Sequence, residues 1–487
     1  MSNRLLESIE PKEVFRYFED LTRIPRCSGK EENVVAYLID FAEQHGFDWW
    51  KDEKLNIVIK KPATKGYESR PTIILQAHTD MVCEKDKETV HDFDTDPIKI
   101  EIEEDRIIAK ETTLGADDGI GVALALALLA DKDAEHPNVE LICTSDEERG
   151  LVGAEHFDMA MMEGDVLINL DANEEGKFVV GCAGGPVVRI EIPLERTTIV
   201  PNGMSALNIR IRGLTGGHSG EDIHRGRVNS NKLMARTLVS LSHEVNYMLG
   251  DISGGIHYNA IPRETEAVIF VNAQEKQKVI ETVLSYRTTY KNEYRVTEPD
   301  MEITVQECLD GSDNLLSDLS KKRLFDFLYL CYSGIVRMDA EIAGAVESSV
   351  NLGTIHLEKE TAVIQMMTRS SLESAYREMY NQIAYLAECV GGTVHIMSDC
   401  PEWEYNPSSE VKKVFHKVYQ EMFGKAPEFF ILHAGLECGV FAKKTNRPMD
   451  MIAAGPTSKN LHMPGEHLSI SSVQNFWRFF KEVVKHI

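Results

Sequence analysis

The chain has 487 residues, more than one typical domain holds, so two domains of roughly 200 to 250 residues are expected. Hydrophobic residues make up 43% and charged residues 27% of the sequence, and the net charge is −26. That charge speaks against a nucleic-acid or anionic-membrane partner, because both need a basic face. The stretch Met1–Pro11 carries charges throughout and does not read as a signal peptide. The longest apolar stretch, Ile120–Ala130, is too short to span a bilayer. Nine cysteines lie scattered without a C-x-x-C pair, the pattern of reduced thiols in a cytoplasmic protein. Cys83, Cys143 and Cys182 are expected to be buried structural thiols.

In chain order, Glu13–Ile24 and Glu31–His45 are amphipathic helices, the second opened by a capping box of Ser28 and Glu31. Apolar runs at Asn56–Lys60 and Thr72–Gln76 predict strands. Gly119–Ala130 predicts an apolar helix, and Val139–Thr144 and Val166–Leu170 predict further strands. This alternation is that of an α/β domain, a sheet covered by helices on both faces. The same grammar returns at the end of the chain. Glu410–Phe423 reads as a helix, Phe429–Leu432 and Met449–Ala453 as strands, and Ser471–His486 as a closing helix. One discontinuous domain, residues 1–185 and 398–487, is therefore expected to be interrupted by an insertion, residues 186–397.

The insertion has a different pattern. Leu207–Arg212 and Glu266–Val271 alternate with period two, as half-buried strands do. Asn259–Val271, the helix Lys276–Tyr290 and the strand Glu302–Gln306 are echoed by Gly353–Met367, the helix Leu372–Val390 and the strand Thr393–Met397. Repetition of a helix between strands predicts an α+β domain with an internal duplication.

Five motifs carry chemistry. Gln76-Ala-His78-Thr-Asp80 ends a strand, so His78 and Asp80 share a face and can act as a ligand and the group that orients it. Thr112-Thr-Leu-Gly-Ala-Asp117-Asp118 enters the apolar helix, where one acidic residue suits the positive end of the helix dipole. Thr144-Ser-Asp-Glu147-Glu148 follows a strand; neighbouring carboxylates repel unless a cation or a proton separates them. Asn169-Leu-Asp171 ends another strand, and Leu461-His462-Met-Pro-Gly-Glu466 precedes the last helix. Taken singly, each motif is explained by a strand-end hydrogen bond, a helix cap or a solvated charge run. Together they place nitrogen and oxygen donors at the carboxyl ends of separate strands, where open α/β sheets bind ligands. Such donors favour zinc, manganese or cobalt. A spare carboxylate favours two metals with one bridge.

These motifs resemble those of the M20 metallopeptidases nearly end to end. Gln76–Val82, Thr112–Gly119, Gly181–Gly185 and His433-Ala-Gly-Leu-Glu-Cys-Gly439 resemble the aminoacyl-histidine (Xaa-His) and cytosol non-specific dipeptidase branch. The resemblance implies a catalytic domain of zinc-peptidase type with a mixed sheet and an inserted lid, and two Zn²⁺ per chain, with Co or Mn as alternatives. It makes Asp117 the bridge, His78 and Asp171 ligands of one metal, and Glu148 and His462 ligands of the other. Asp80 orients His78, Glu147 is the general base, and the peptide Asp117–Asp118 is expected to be cis. From the lid, His218 in Gly216-Gly-His-Ser-Gly220 would reach the oxyanion, and Asn259 and Arg369 would hold the substrate carboxylate. The sequence departs from the simplest family pattern: the strand after Asn259 ends at Val271 without an arginine, while Arg369 closes the equivalent strand of the second copy. Both halves of the work can then sit within one chain, and the existence of a homodimer stays open. The implied substrate is a dipeptide, Xaa-His or broader. An N-acyl-amino-acid amidase of the same family keeps every ligand and differs only in its pocket. A non-catalytic binding protein on the same scaffold has no use for Glu147.

Overall fold

The structure, a computed structural model, describes residues 4–197, 201–308 and 315–487. It divides into two compact units, one of Met1–Cys182, Trp403–Ile431 and Leu436–Ile487, the other of Ala183–Glu402 and Leu432–Gly435. Each has its own hydrophobic core. Among the described residues no helix is long and apolar enough to cross a membrane.

The first unit is built on a mixed sheet. Its strand order is Asp48–Lys51, Ile57–Lys61, Val139–Thr144, Ile73–His78, Val166–Asn169, Asp450–Ala453, Lys177–Cys182 and Glu428–Leu432. Ile73–His78 runs parallel to Val139–Thr144 and to Val166–Asn169, with His78 opposite Thr144 and Gln76 opposite Asn169. All residues of Ile73–His78 and Val139–Thr144 are buried, as expected of parallel strands covered on both faces. The helix Ala116–Ala130 is buried along nearly its whole length, which is why its sequence is apolar all round rather than striped. Around Phe178 the rings of Phe415, Tyr419 and Phe479 pack edge-on or stacked, at centroid distances of 5.0–5.8 Å. These contacts join the three chain segments of the unit. A smaller sheet, in the order Ser458–Lys459, His467–Ser469, Arg106–Ile108 and Glu101–Glu103, has no counterpart in the sequence reading.

Two local expectations are corrected. Ser28 and Glu31 do not form a capping box: Glu31 is itself the N-cap and makes no side-chain cap bond. Ser28 Oγ donates to Asp80 Oδ2 at 2.7 Å, and Glu31 Oε1 accepts from the amides of Gly29 and Asp146. Tertiary partners thus outcompete the local cap. Cys83 is not a thiol but is joined to Cys27 in a disulfide, with Cα atoms 5.7 Å apart. The segment after the first helix pairs with the chain at Met81 and brings the two together. Cys143 and Cys182 are buried as expected.

The second unit is a larger sheet with helices, and the duplication runs further than the sequence suggests. One half is the strand Met204–Arg212, helix Ser230–Ser242, strands Tyr247–Gly254 and Thr265–Asn272, helix Lys276–Glu293 and strand Glu302–Glu307. The other is the strand Gly185–Pro193, helix Asp318–Leu330, strands Val346–Leu357 and Thr361–Ser370, helix Glu373–Cys389 and strand Thr393–Cys400. In each half the fourth strand lies outermost, followed by the first, the third and the second. The halves meet where Gly254 pairs with Ile355. Period-two alternation is visible in Met204–Arg212, where Leu207, Ile209 and Ile211 are buried and Arg210 and Arg212 exposed.

Candidate active site

In the first unit the structure brings His78, Asp80, Asp117, Glu147, Glu148, Asp171 and His462 to the carboxyl ends of the parallel strands and the loops that follow them. His78 is the last residue of its strand. Asp117 opens the helix Ala116–Ala130, and the Asp117–Asp118 peptide is cis. Glu147 follows Asp146, whose φ of 53° is left-handed, as is that of His462 at 61°; such backbone is costly outside glycine and tends to cluster at functional sites.

The side chains form three overlapping groups, each with ligand atoms within 4.8 Å of one another: His78 with Asp117 and Asp171, Asp117 with Glu148 and His462, and His78 with Glu147 and Glu148. Asp117 belongs to the first two. Its Oδ1 lies 3.0 Å from His78 Nε2 and its Oδ2 lies 3.3 Å from His462 Nε2. His462 Nε2 is also 3.0 Å from Glu148 Oε1, a buried oxygen without a hydrogen-bond donor in good geometry. Asp80 Oδ1 lies 3.3 Å from His78 Nδ1. The same carboxylate accepts from the amides of Glu147 and Glu148 at 3.0 and 3.2 Å, so it also orders the Glu147–Glu148 turn.

The charges respond to this crowding. Burial pushes the Glu147 and Asp171 carboxyls well above the usual range, and neighbouring carboxylates add to it. Burial also acts against the Asp117 anion, but hydrogen bonds from His462 and His78 outweigh it and hold that carboxyl low. His462 is pushed up to about 10, first by its hydrogen bond to Asp117 and then by the adjoining Glu148 carboxylate. Burial lowers His78, yet Asp117 and Asp80 raise it well above its ordinary value. A donor set of imidazoles and carboxylates without thiolate, around one carboxylate shared between two groups, fits a pair of zinc-like ions.

In the second unit His218 lies in a short strand paired with Ala260–Ile261, and the carbonyl of Asn259 accepts from the Ser219 amide at 2.8 Å. Asn259 Oδ1 is 2.6 Å from His257 Nδ1. Arg369, near the end of Thr361–Ser370, is 5% exposed, and its Nη2 lies 3.5 Å from His218 Nε2. Burial lowers Arg369 to about 10. Burial and the Arg369 charge lower His218 to about 4. Gly217 has φ 132°, and a Cβ there would fall 2.4 Å from Asp222 Oδ2, so the glycine is needed for Asp222 to accept from the His218 amide at 2.9 Å.

Sequence reasoning gave no role to two residues of the motif His433–Gly439. His433 is buried in the second unit, with Nε2 2.7 Å from Ser349 Oγ. Burial and the Arg369 charge lower it to about 3. Glu437 is fully buried in the first unit. It accepts from Thr144 Oγ1 at 2.8 Å and from Gln76 Nε2 at 2.5 Å, and burial raises it to about 7. The motif itself is the only signal in the sequence; the partners lie 84 to 361 residues away in the chain.

Residues 74–486 match the profile of Peptidase family M20/M25/M40. The chain belongs to this family. It is 36% identical over 482 residues to the cytosol non-specific dipeptidase of Escherichia coli K12, covering 99% of each chain. The crystal structure of aminoacylhistidine dipeptidase from Vibrio alginolyticus superposes with a TM-score of 0.92 at 35% identity, covering 100% of this chain and 98% of that one. A tripeptidase from Staphylococcus aureus mu50 shares the fold with a TM-score of 0.55 at 15% identity, covering 98% of each chain. The M20 assignment accounts for the strand-end arrangement of the donors without reference to any single motif.

Proposed function

We propose that this M20 chain is a two-metal dipeptidase acting on dipeptides with a free C-terminal carboxylate, Xaa-His among them. The observation that carries the reading is Asp117, whose two oxygens face His78 and His462 in two different donor groups. Full-length similarity to a non-specific dipeptidase and to an aminoacylhistidine dipeptidase supports the substrate class. In this reading His78 and Asp171 hold one ion, Glu148 and His462 the other, and Asp117 both. The ions are zinc, with cobalt or manganese as alternatives. Residues 1–185 and 398–487 serve as the catalytic domain and 186–397 as the lid.

When bound, the ions would supply a Lewis acid for the scissile carbonyl and lower the pKa of a water molecule. Asp80 holds the His78 ring and the Glu147–Glu148 backbone in place. Glu147 accepts the proton of the attacking water at its carboxylate and returns it to the leaving amine. His218, kept neutral, offers a hydrogen bond to the carbonyl oxygen as it becomes an oxyanion. Arg369 and Asn259 recognise the substrate carboxylate. A cytoplasmic site of action follows the similarity to a cytosol non-specific dipeptidase. The test is release of free amino acids by zinc-loaded protein from Xaa-His dipeptides, other dipeptides and N-acyl-histidines. Hydrolysis of dipeptides is expected. Cleavage of the N-acyl compounds alone would replace the reading with an amidase.

A further inference from the structure

The loop that carries His462 ends in Glu466, a residue with no part in the proposed chemistry. The Glu466 carboxylate is 2% exposed and accepts four backbone amides in a row. Leu114 and Gly115 donate to Oε2 at 2.6 and 2.9 Å, and Ala116 and Asp117 donate to Oε1 at 2.8 and 3.3 Å. These are amides at a helix start, which lack carbonyl partners within the helix. A residue hundreds of positions away satisfies them all. The loop is itself pinned: the Ala109 amide donates to the Glu466 carbonyl, and the Gly465 amide to the Ala109 carbonyl.

Arg26 holds the same segment through its carbonyl oxygens. Buried at 2% exposure, it donates through Nη2 to the Gly115 carbonyl. Through Nη1 it donates to the carbonyls of Thr79 and Asp80, at 3.0 and 2.9 Å. A Cβ on Gly115 or on Gly119 would fall 2.5 Å from Arg26 Nη2, so both glycines leave room for the guanidinium. Glu466 thus takes the N–H groups of the segment and Arg26 its carbonyl. Between them they join three pieces of chain that bear His462, Asp117 and the His78–Asp80 turn.

We propose that Glu466 and Arg26 are positioning residues that clamp the backbone of Leu114–Asp117 and so set where Asp117 stands against His78 and His462. The proposal rests on the reading of Asp117 as the shared metal ligand. Groups that orient ligands typically change metal affinity by about 10- to 100-fold when removed. A plain helix cap would change stability and leave the relative placement of ligands untouched.

The test uses the full chain, freed of metal, in two measurements. In the wild type, the amides of Leu114–Asp117 are expected to exchange hydrogen about 100-fold or more slowly than free amides; unprotected exchange there overturns the clamp, and this measurement needs no variant. Zinc affinity is then measured by chelator competition for the wild type, Glu466→Gln, Arg26→Met and Asp117→Asn. Glu466→Gln and Arg26→Met are expected to bind zinc about 10- to 100-fold more weakly, and with zinc saturating to show a lower kcat with KM within about twofold. Wild-type zinc affinity in a folded Glu466→Gln, beside lost affinity in Asp117→Asn, overturns the clamp and leaves the metal site standing. Wild-type affinity in Asp117→Asn overturns the metal reading instead, while the exchange measurement still decides on the clamp.

Discussion

In the first unit His78 is surrounded by Asp80, Asp117, Glu147, Glu148 and Asp171, with Asp118 accepting from its backbone amide. In the second unit Arg369 is buried beside His218 and His433, and among the described residues no carboxylate forms an ion pair with it. The two clusters are unbalanced in opposite senses. Buried like charges raise one another's energy unless a counter-charge arrives. The carboxylate-rich cluster therefore suits cations, and the guanidinium with its two neutral imidazoles suits an anion such as a peptide carboxylate. The same sheet-and-helix vocabulary thus yields two clusters whose charge imbalances are opposite in sign.

Removing the cations should do the most damage. Chelation is expected to abolish hydrolysis, and active protein should contain about two zinc-like ions per chain; active protein without metal would end the comparison. Next is the distinction inside the Glu147–Glu148 pair. Glu147→Gln should keep its metal and lose roughly 10²-fold or more in kcat. Glu148→Ala should lose metal at one site. Metal analysis beside steady-state kinetics separates the two, and the reverse pattern would exchange their roles.

The second cluster is probed through its anion. Arg369→Met should lower kcat/KM for dipeptides by about 10- to 100-fold, as expected when a bidentate charge-assisted contact of roughly 1.5–3 kcal/mol is lost. For a C-terminally amidated dipeptide the wild type should already be poor, and the substitution should change little. Equal cleavage of free and amidated dipeptides by the wild type would remove Arg369 from carboxylate recognition.

How much of this was readable in advance differs between the two clusters. The residues proposed to hold metal follow short, buried apolar strands, and polar residues where such a run stops are conspicuous, so His78, Asp171 and the Glu147–Glu148 pair stand out. The role of Glu466 is not legible in its motif, because the four amides it accepts belong to a segment 349 to 352 residues earlier in the chain. Ser28 and Glu31 were misread for the same reason: a local signature matched, and distant partners at Asp80 and Asp146 took the side chains. Cys27 and Cys83 are 56 residues apart and form no local pattern. The duplication was visible only in the later strands and helix of each half. The first strands, Met204–Arg212 and Gly185–Pro193, are separated from their own halves by an insertion or a loop, and only the strand order reveals them.

The smallest effect is one of pH on stability, and it tests the claim that the second cluster keeps its imidazoles neutral. His433 is lowered to about 3, by burial and then by Arg369, His218 and His224. His218 is lowered to about 4, by burial and then Arg369, against a smaller opposing effect of Asp222. In the unfolded chain both would titrate near 6.5. Between the folded and unfolded values the unfolded chain binds more protons, so stability rises with pH in that window and levels off above about 6.5. Read downward, the contribution is complete above 6.5 and is lost as pH falls toward 4 and 3. For His433, 7% exposed, the loss between pH 6.5 and 5 is about 1.5 kcal/mol. Glutamine at this position can still hydrogen-bond to Ser349 but does not titrate. The difference in unfolding free energy between wild type and His433→Gln, from denaturant titrations at pH 6.5 and 5.0, isolates that share from the carboxylates common to both. The wild type should lose about 1.5 kcal/mol more than the variant over that interval. Equal losses would mean that His433 accepts a proton in the folded protein, and the cluster would then be more positive at mild acidity than its burial allows.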